Sequence, residues 1–357
     1  MLREESLMKR LAKKLEKIAK RAVFIALRTS SASQPEIPVA ALQDVARIIV
    51  VRPNYRIGNA ILSTAVIAPL REQFPGAQID FLVTNNTAAL FTNLSIDNVI
   101  AISRSAMLLP WRALAIVGKM RAKRYDLAVQ LASSSLSGLM FSRLLGARYI
   151  MGQPKDDAAW YHVKVKDPVV HAYDTGTAFS RALGAVGPAR TRLAISDEET
   201  ASALGQLQDL GLALNGTNKA EPFVAVFVGG HADKVCPLSF WLALMAGLDR
   251  AGKRFVVFVG PEEKTMLPDL QRALEALPHG TLCLPQPLRK FAAMLAQAQL
   301  MITPDSGPMH MAAALSVPVV MMLQTQKSLA FMPPGADSHF IENLDVPQAL
   351  TAVARMG

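Results

Sequence analysis

Cysteine is scarce in this chain: Cys236 and Cys283 are the only two in 357 residues. That excludes a disulfide scaffold and a cysteine-rich metal site. Long apolar runs are missing as well. A membrane-crossing helix needs roughly 18 or more apolar residues in succession, and the longest candidate, Met309 to Leu323, is short and broken by His310 and Pro318. Aromatic residues make up only 6% of the chain and are not interleaved with the basic ones, so no nucleic-acid module is visible. Neither a G-x-G-x-x-G nucleotide fingerprint nor an Asp-x-Asp motif occurs.

What is present is a large apolar fraction, 51%, with a positive mean hydropathy of +0.25. A chain of this kind folds rather than remaining disordered, and its length suits two domains. The net charge is +10, and six of those charges lie within residues 1–28, where nine Lys and Arg face three Glu. In the same segment Leu7, Leu11, Leu15, Ile18, Ala22 and Ile25 recur at steps of three or four, the period of one helix face. The segment reads as a basic amphipathic helix able to lie on an anionic membrane surface. Composition alone fits equally a short coiled coil, a helix docked on the body or a solvated tail. It is a poor signal peptide, because the run Ala22 to Leu27 is shorter than the usual apolar region.

Thr29 to Pro38 reads as a linker. Beyond it, β-rich runs at Ala46–Arg52, Ile79–Val83, Leu127–Leu131, Phe223–Val228, Phe255–Val259, Leu300–Thr303 and Val319–Leu323 alternate with helical stretches. The helical stretches are Ile57–Phe74, Leu136–Leu145, Leu238–Ala251, Glu262–Leu277 and Gly307–Leu315. Strands apolar on both faces that alternate with helices predict parallel, doubly wound sheets. Gly184, Gly187 and Pro188 interrupt the pattern, and the capping-box spacing Ser196-x-x-Glu199 then opens a helix. The expected organisation is a helix and linker over 1–38, one Rossmann-like domain over 39–190 and a second over 191–357. Ligands of such sheets bind at the carboxyl ends of the strands.

Four segments follow strands in places suited to chemistry. The first runs from Arg52 through Arg56-Ile57-Gly58-Asn59 to Ser63-Thr64, with Gly58 allowing a tight turn before a helix start. An ordinary strand–turn–helix connection fits the same spacing. The second contains Gly229-Gly230, His231, Asp233 and Lys234. The glycines permit close approach to a ligand, and the lysine is a compact positive charge suited to phosphate. A solvated lysine on a turn is the plain alternative. In the third, Gly260-Pro261-Glu262-Glu263, helix capping already accounts for the proline and both acids. The fourth, Thr303-Pro304-Asp305-Ser306-Gly307-Pro308-Met309-His310, places a helix start where its amides would favour a diphosphate, with His310 one turn in. Asp305 suits sugar hydroxyls, or orients the loop.

In this order, the segments from about Ile48 to Leu323 resemble glycosyltransferase family nine, the ADP-heptose:lipopolysaccharide heptosyltransferases. The strongest element is Pro304 to His310 with the Ala-rich helix and Val317-Pro318 behind it. The Arg56–Gly58 turn with Ser63-Thr64 and the stretch Gly229-Gly230, Lys234, Pro237 and Trp241 support it. The resemblance implies the GT-B architecture, α/β with two Rossmann-like domains facing a cleft, the first for a lipid-linked acceptor and the second for the nucleotide sugar. It implies that Lys234 contacts the donor diphosphate and that Glu262 or Glu263 lies near the nucleoside. Asp305, Ser306, Gly307 and His310 would hold the sugar–diphosphate. Arg56, Gly58, Ser63, Thr64, Gly229 and Gly230 join them as substrate-binding residues, and Lys234, Asn59 and Asp305 are the expected catalytic set.

One departure stands out. Many members carry Gly-Asp in the first turn, with the aspartate as proposed general base, and this chain has Gly58-Asn59. An amide is no base near neutral pH, so Asn59 would position the acceptor hydroxyl. Asp80, Asp126, Asp156, Asp157, His162 and His171 are alternative bases. The resemblance thus points to an inverting, metal-independent enzyme without a cofactor. It would move heptose from ADP-heptose to the lipid A–core at the inner face of the cytoplasmic membrane, held there by residues 1–28, with no nucleic-acid partner. A relative using another nucleotide sugar, or a non-catalytic nucleotide-sugar binder, fits the same residues.

Overall fold

The computed structural model describes residues 35–52, 54–103, 110–131, 136–154, 160–214 and 219–356. The basic segment 1–28, Asp156 and Asp157 lie outside them. The first sheet is wholly parallel, with β1 (Arg47–Val51), β2 (Gln78–Thr84), β3 (Asn98–Ile102), β4 (Leu127–Gln130), β5 (Tyr149–Gly152) and β6 (Val163–Lys164) in the order 3-2-1-4-5-6. The second sheet repeats that plan. Its strands are β7 (Val224–Phe227), β8 (Phe255–Phe258), β9 (Gly280–Cys283), β10 (Leu300–Pro304), β11 (Val319–Met322) and β12 (Ser338–Ile341), ordered 12-11-10-7-8-9.

The two-sided apolar strands have the expected cause. Ile48 and Val50 of β1 enter one core and Ile49 and Val51 another, so both faces are covered. On the first face lie α1 (Ile57–Leu62), α2 (Ile67–Gln73) and, after the remaining strands, α5 (Asp174–Leu183). On the other lie α3 (Pro110–Arg121) and α4 (Leu136–Leu144). The second sheet is covered by α7 (Leu238–Arg250), α8 (Leu267–Leu274) and α11 (Val346–Met356) on one side. Its other side carries α6 (Asp197–Asp209), α9 (Leu288–Leu295) and α10 (Gly307–Ala314). The core beneath α1 and α10 is continuous across both sheets.

Two helices differ from their expected extent. The stretch 57–74 breaks at a 3₁₀ turn, Ser63–Val66, between α1 and α2, because the Ser63 and Thr64 hydroxyls bond back to the Ala60 and Ile61 carbonyls and compete with the helix. The helix expected from Glu262 starts only at Leu267. Pro268 then occupies its first turn, where a missing N–H costs nothing. Pro261 is therefore not a first helical residue. The capping box before α6 is present as expected: Glu199 N donates to Ser196 Oγ at 3.2 Å and Ser196 N to Glu199 Oε2 at 2.9 Å.

Candidate active site

A parallel sheet of this order has a switch point, where the crossovers diverge to opposite sides and leave a crevice. In the first sheet that point lies between β1 and β4, and in the second between β7 and β10. The first, second and fourth sequence segments follow β1, β7 and β10, so topology alone brings three of them to switch points.

At the second switch point Lys234 Nζ donates to Asp305 Oδ2. The pair joins residues 71 apart in the chain, and Asp305 is only 7% exposed. Lys234 leaves the β7 crossover on a short 3₁₀ turn whose first residue, Ala232, has φ of +55°. That left-handed conformation is uncommon for a residue with a Cβ. The ammonium also sits 5.4 Å from the centre of the Phe331 ring, within cation–π reach.

Ser306 caps α10, its hydroxyl accepting from Met309 N at 3.4 Å and lying 2.9 Å from Thr303 Oγ1. Gly307 packs on α1, where a Cβ would meet that of Ile57 at 3.1 Å. His310 is 4% exposed, its Nδ1 2.8 Å from the Tyr173 hydroxyl and its Nε2 against Gly58. Burial pushes its pKa down to about 4, although Asp305 opposes the shift. The imidazole is thus neutral at physiological pH and turned into the contact between the two halves. Gly58 has a different purpose from the tight turn expected of it. It lies inside α1 and has no positive φ; its missing side chain is the space that the His310 ring occupies.

Gly229 and Gly230 likewise serve close packing. A Cβ on Gly229 would collide with the Glu263 carboxylate, and one on Gly230 with the Lys234 carbonyl. Glu263 accepts from Gly260 N at 2.8 Å, and its pKa is raised because it is half-buried. Glu262 is exposed. Of the two glutamates, Glu263 is therefore the one built into the crevice beside β7 and β8.

At the first switch point a cavity of about 170 Å³ is lined by Arg52, Asn59, Ser63, Leu131, Thr175 and Phe331, among others. Phe331 thus joins it to Lys234. Arg56, exposed, caps α1 with its backbone. Thr64 is turned away: its hydroxyl donates to Ile61 O and accepts from Arg192 N at 2.9 Å, so it ties down the connection between the halves and is not free for substrate.

The alternative bases fare poorly. Asp80, fully buried in β2, is enclosed by Lys123, Tyr125, Asn98 and Gln78. Asp126 holds the Ala46 and Arg47 amides, where β1 begins, at the opposite end from the cavity. His162 Nδ1 accepts from Ile150 N. His171 adjoins the cavity, but Tyr173 N donates to its Nδ1 at 3.4 Å and its Nε2 lies 3.0 Å from Leu329 O. With its acceptor nitrogen taken by an amide, it has no lone pair for a substrate proton.

Sequence reasoning named Arg52 only as the head of the first segment, with no role, and passed over Tyr173 and Phe331. Arg52 carried a readable signal, a charge directly after the apolar run Ile48–Val51. Tyr173 and Phe331 carried none.

This geometry has known relatives. A solved family 9 glycosyltransferase from Veillonella parvula superposes with a TM-score of 0.72 at 20% identity, covering 88% of this chain and 90% of its own. The Escherichia coli ADP-heptose lipopolysaccharide heptosyltransferase II gives 0.69 at 16% identity over 87% and 98%. These likenesses establish the GT-B fold. In sequence, lipopolysaccharide heptosyltransferase 3 of E. coli K12 is 23% identical over 291 residues, 77% of this chain and 82% of that one. Residues 113–349 match glycosyltransferase family 9 (heptosyltransferase), about two-thirds of the chain. The chain belongs to that family and is a glycosyltransferase.

Proposed function

We propose that the protein transfers heptose from ADP-heptose to the lipopolysaccharide inner core, with inversion at the anomeric carbon, at the cytoplasmic face of the cytoplasmic membrane. The observation that carries this reading is the Lys234–Asp305 pair at one switch point, joined through Phe331 to the cavity at the other. A donor bound at the second sheet would set its diphosphate against Lys234, which exchanges Asp305 for the phosphate oxygens. The acceptor hydroxyl, oriented by Asn59, attacks the anomeric carbon. The bond from that carbon to the diphosphate oxygen breaks, and ADP carries away the electron pair. Lys234 and the first amides of α10 stabilise the charge that grows on it, an electrostatic contribution placed before the reaction begins. The released proton passes to water in the cleft or to another side chain. The names of the relatives support heptose as the sugar: one solved relative is the E. coli heptosyltransferase WaaC with ADP-2-deoxy-2-fluoro heptose.

The test is a thermal-shift screen of ADP-heptose against UDP-, GDP- and CMP-sugars, since a ligand of the native state raises stability by mass action. ADP-heptose should give the largest shift; a larger one from another nucleotide sugar replaces the donor in this reading. Lys234→Ala should lower turnover at least about tenfold, or 1.4 kcal/mol. Wild-type kinetics in the folded variant would count against the assignment.

A further inference from the structure

The helix α3 crosses from β3 to β4 and packs on the first sheet through Ile116, Val117 and Met120. Its opposite side carries a second row of small and apolar residues at steps of three and four, Trp111, Leu114 and Gly118. Trp111 is 66% exposed and Leu114 64%. Residues 110–150 hold seven Lys and Arg against one acid, Asp126, a net +6. Residues 1–28 carry the same charge, so the rest of the chain is left at −2. We propose that the outer face of α3 is a membrane contact. Trp111 and Leu114 seat among the headgroups of a bilayer, and the surrounding cations meet anionic lipid. The inference rests on the membrane site of action proposed above and adds the surface by which the first domain meets that membrane.

The protein does not neutralise this face from within. Asp126 is spent on the Ala46 and Arg47 amides, and buried Asp80 matches Lys123. Arg112, Lys119 and Arg124 are exposed and have no carboxylate partner among the described residues. Arg121 and Arg148 donate to the Leu144 and Gln43 carbonyls, which leaves their charge in place. The first of these bonds ties the end of α3 to that of α4, and Arg148 N donates to Tyr125 O. Cations from three segments thus share one side of the domain. A protein interface takes about 800 Å² from each partner, more than one Trp and one Leu supply, and two copies of so cationic a face repel each other. Tryptophan is instead favoured at the boundary of bilayer and water, and neighbouring Lys and Arg are drawn to acidic headgroups. The location agrees. A crossover helix runs back against its strands, so the first turn of α3, with Trp111, lies towards their carboxyl ends, where the cleft opens.

Tryptophan emission of the full chain reads this contact directly. The chain has three tryptophans; Trp160 and Trp241 are 3% and 0% exposed, and residues 1–28 contain none. Vesicles of phosphatidylcholine with phosphatidylglycerol should shift the emission to the blue and protect it from acrylamide. Trp111→Phe should abolish the shift. Joint Arg112→Gln and Lys119→Gln should raise the lipid needed for half the shift about tenfold, through lost attraction to the anionic surface. All three positions are exposed, and an unchanged thermal midpoint shows each variant to be folded; the wild-type titration already decides the proposal should one not fold. Sedimentation with vesicles while the emission stays unmoved would assign the binding to other segments and overturn the proposal. So would an equal shift with phosphatidylcholine alone, a shift that survives Trp111→Phe, or one indifferent to the charge substitutions. Absence of both binding and shift overturns it too, and leaves the face to an acidic protein. None of these outcomes bears on the donor, which the nucleotide-sugar screen judges separately.

Discussion

Lys234 meets its first anion inside the protein. Pairing with Asp305 fixes an otherwise flexible side chain at the mouth of the β7–β10 crevice, so in the proposed reaction less side-chain freedom would be lost on exchanging it for a phosphate. Asn59 poses the complementary problem, an amide where a proton acceptor is wanted. Asn59→Asp is the informative change. A rise in turnover of tenfold or more would show that this enzyme works without a base it can use, and a fall would show that the amide itself orients the acceptor; unchanged turnover would remove Asn59 from the chemistry. His310 yields a prediction in pH. Its folded pKa, about 4, lies below the ordinary 6.5 because burial disfavours the charged ring. Between these values the unfolded chain binds the proton and the folded one does not. Its contribution is complete above about pH 6.5 and is lost as pH falls towards 4, at most on the order of 3 kcal/mol. Urea midpoints from pH 7 to 4.5 should fall more steeply for the wild type than for His310→Gln. Parallel curves would show that the ring does not titrate this way.

At the scale of elements, the joint between the halves is the crossing of α1 with α10, where Gly58 admits His310 and Gly307 admits Ile57. A Cβ on Gly58 would overlap Cδ2 of the buried imidazole and approach its Nε2 to 3.0 Å. Gly58→Ala should therefore destabilise by about 1–3 kcal/mol through overpacking. Gly205, within α6 and with nothing in reach of an added Cβ, should respond with the opposite sign. Alanine there should gain up to about 1 kcal/mol of helix propensity. Denaturant unfolding of the two variants measures both, and a shared sign would contradict the packing argument. The same scale explains what the sequence discloses. The central strands β1, β7 and β10 are mostly apolar because neighbours and helices cover them on both faces. β3, β9 and β12 close the edges of their sheets, and their residues are mostly half-exposed or exposed. Mixed polarity hides them from any periodicity. The motif after β10 was readable because a capped helix start is local. Thr64, by contrast, reads as a site residue beside Ser63, and only the Arg192 amide reveals its structural use.

For the whole molecule, two sheets of the same strand order bring two switch points to one cleft, and further bonds hold the halves together. Arg289 of α9 donates to Glu199 and to the Ala194 and Leu90 carbonyls, while His171 and Ala172 meet Leu329 and Ala330. None of the helices among the described residues is long and apolar enough to cross a membrane. The membrane contact proposed for the amino-terminal segment rests on the basic composition of residues 1–28. Deleting residues 1–28 should markedly reduce co-sedimentation with vesicles containing anionic lipid, and more so at low ionic strength; equal sedimentation of both forms would reject that role.

The sequence by itself determined the alternation of strand and helix and the capped start of α6. These depend on backbone sterics, local hydrogen bonds and hydrophobic period, which act over a few residues. Only the tertiary structure decided that Lys234 would be matched to Asp305, that His310 would be neutral and packed on Gly58, and that Thr64 would be spent on the connection between the halves. Desolvation and ion pairing are set by whatever distant segments the fold carries to the same place, and no local pattern records them.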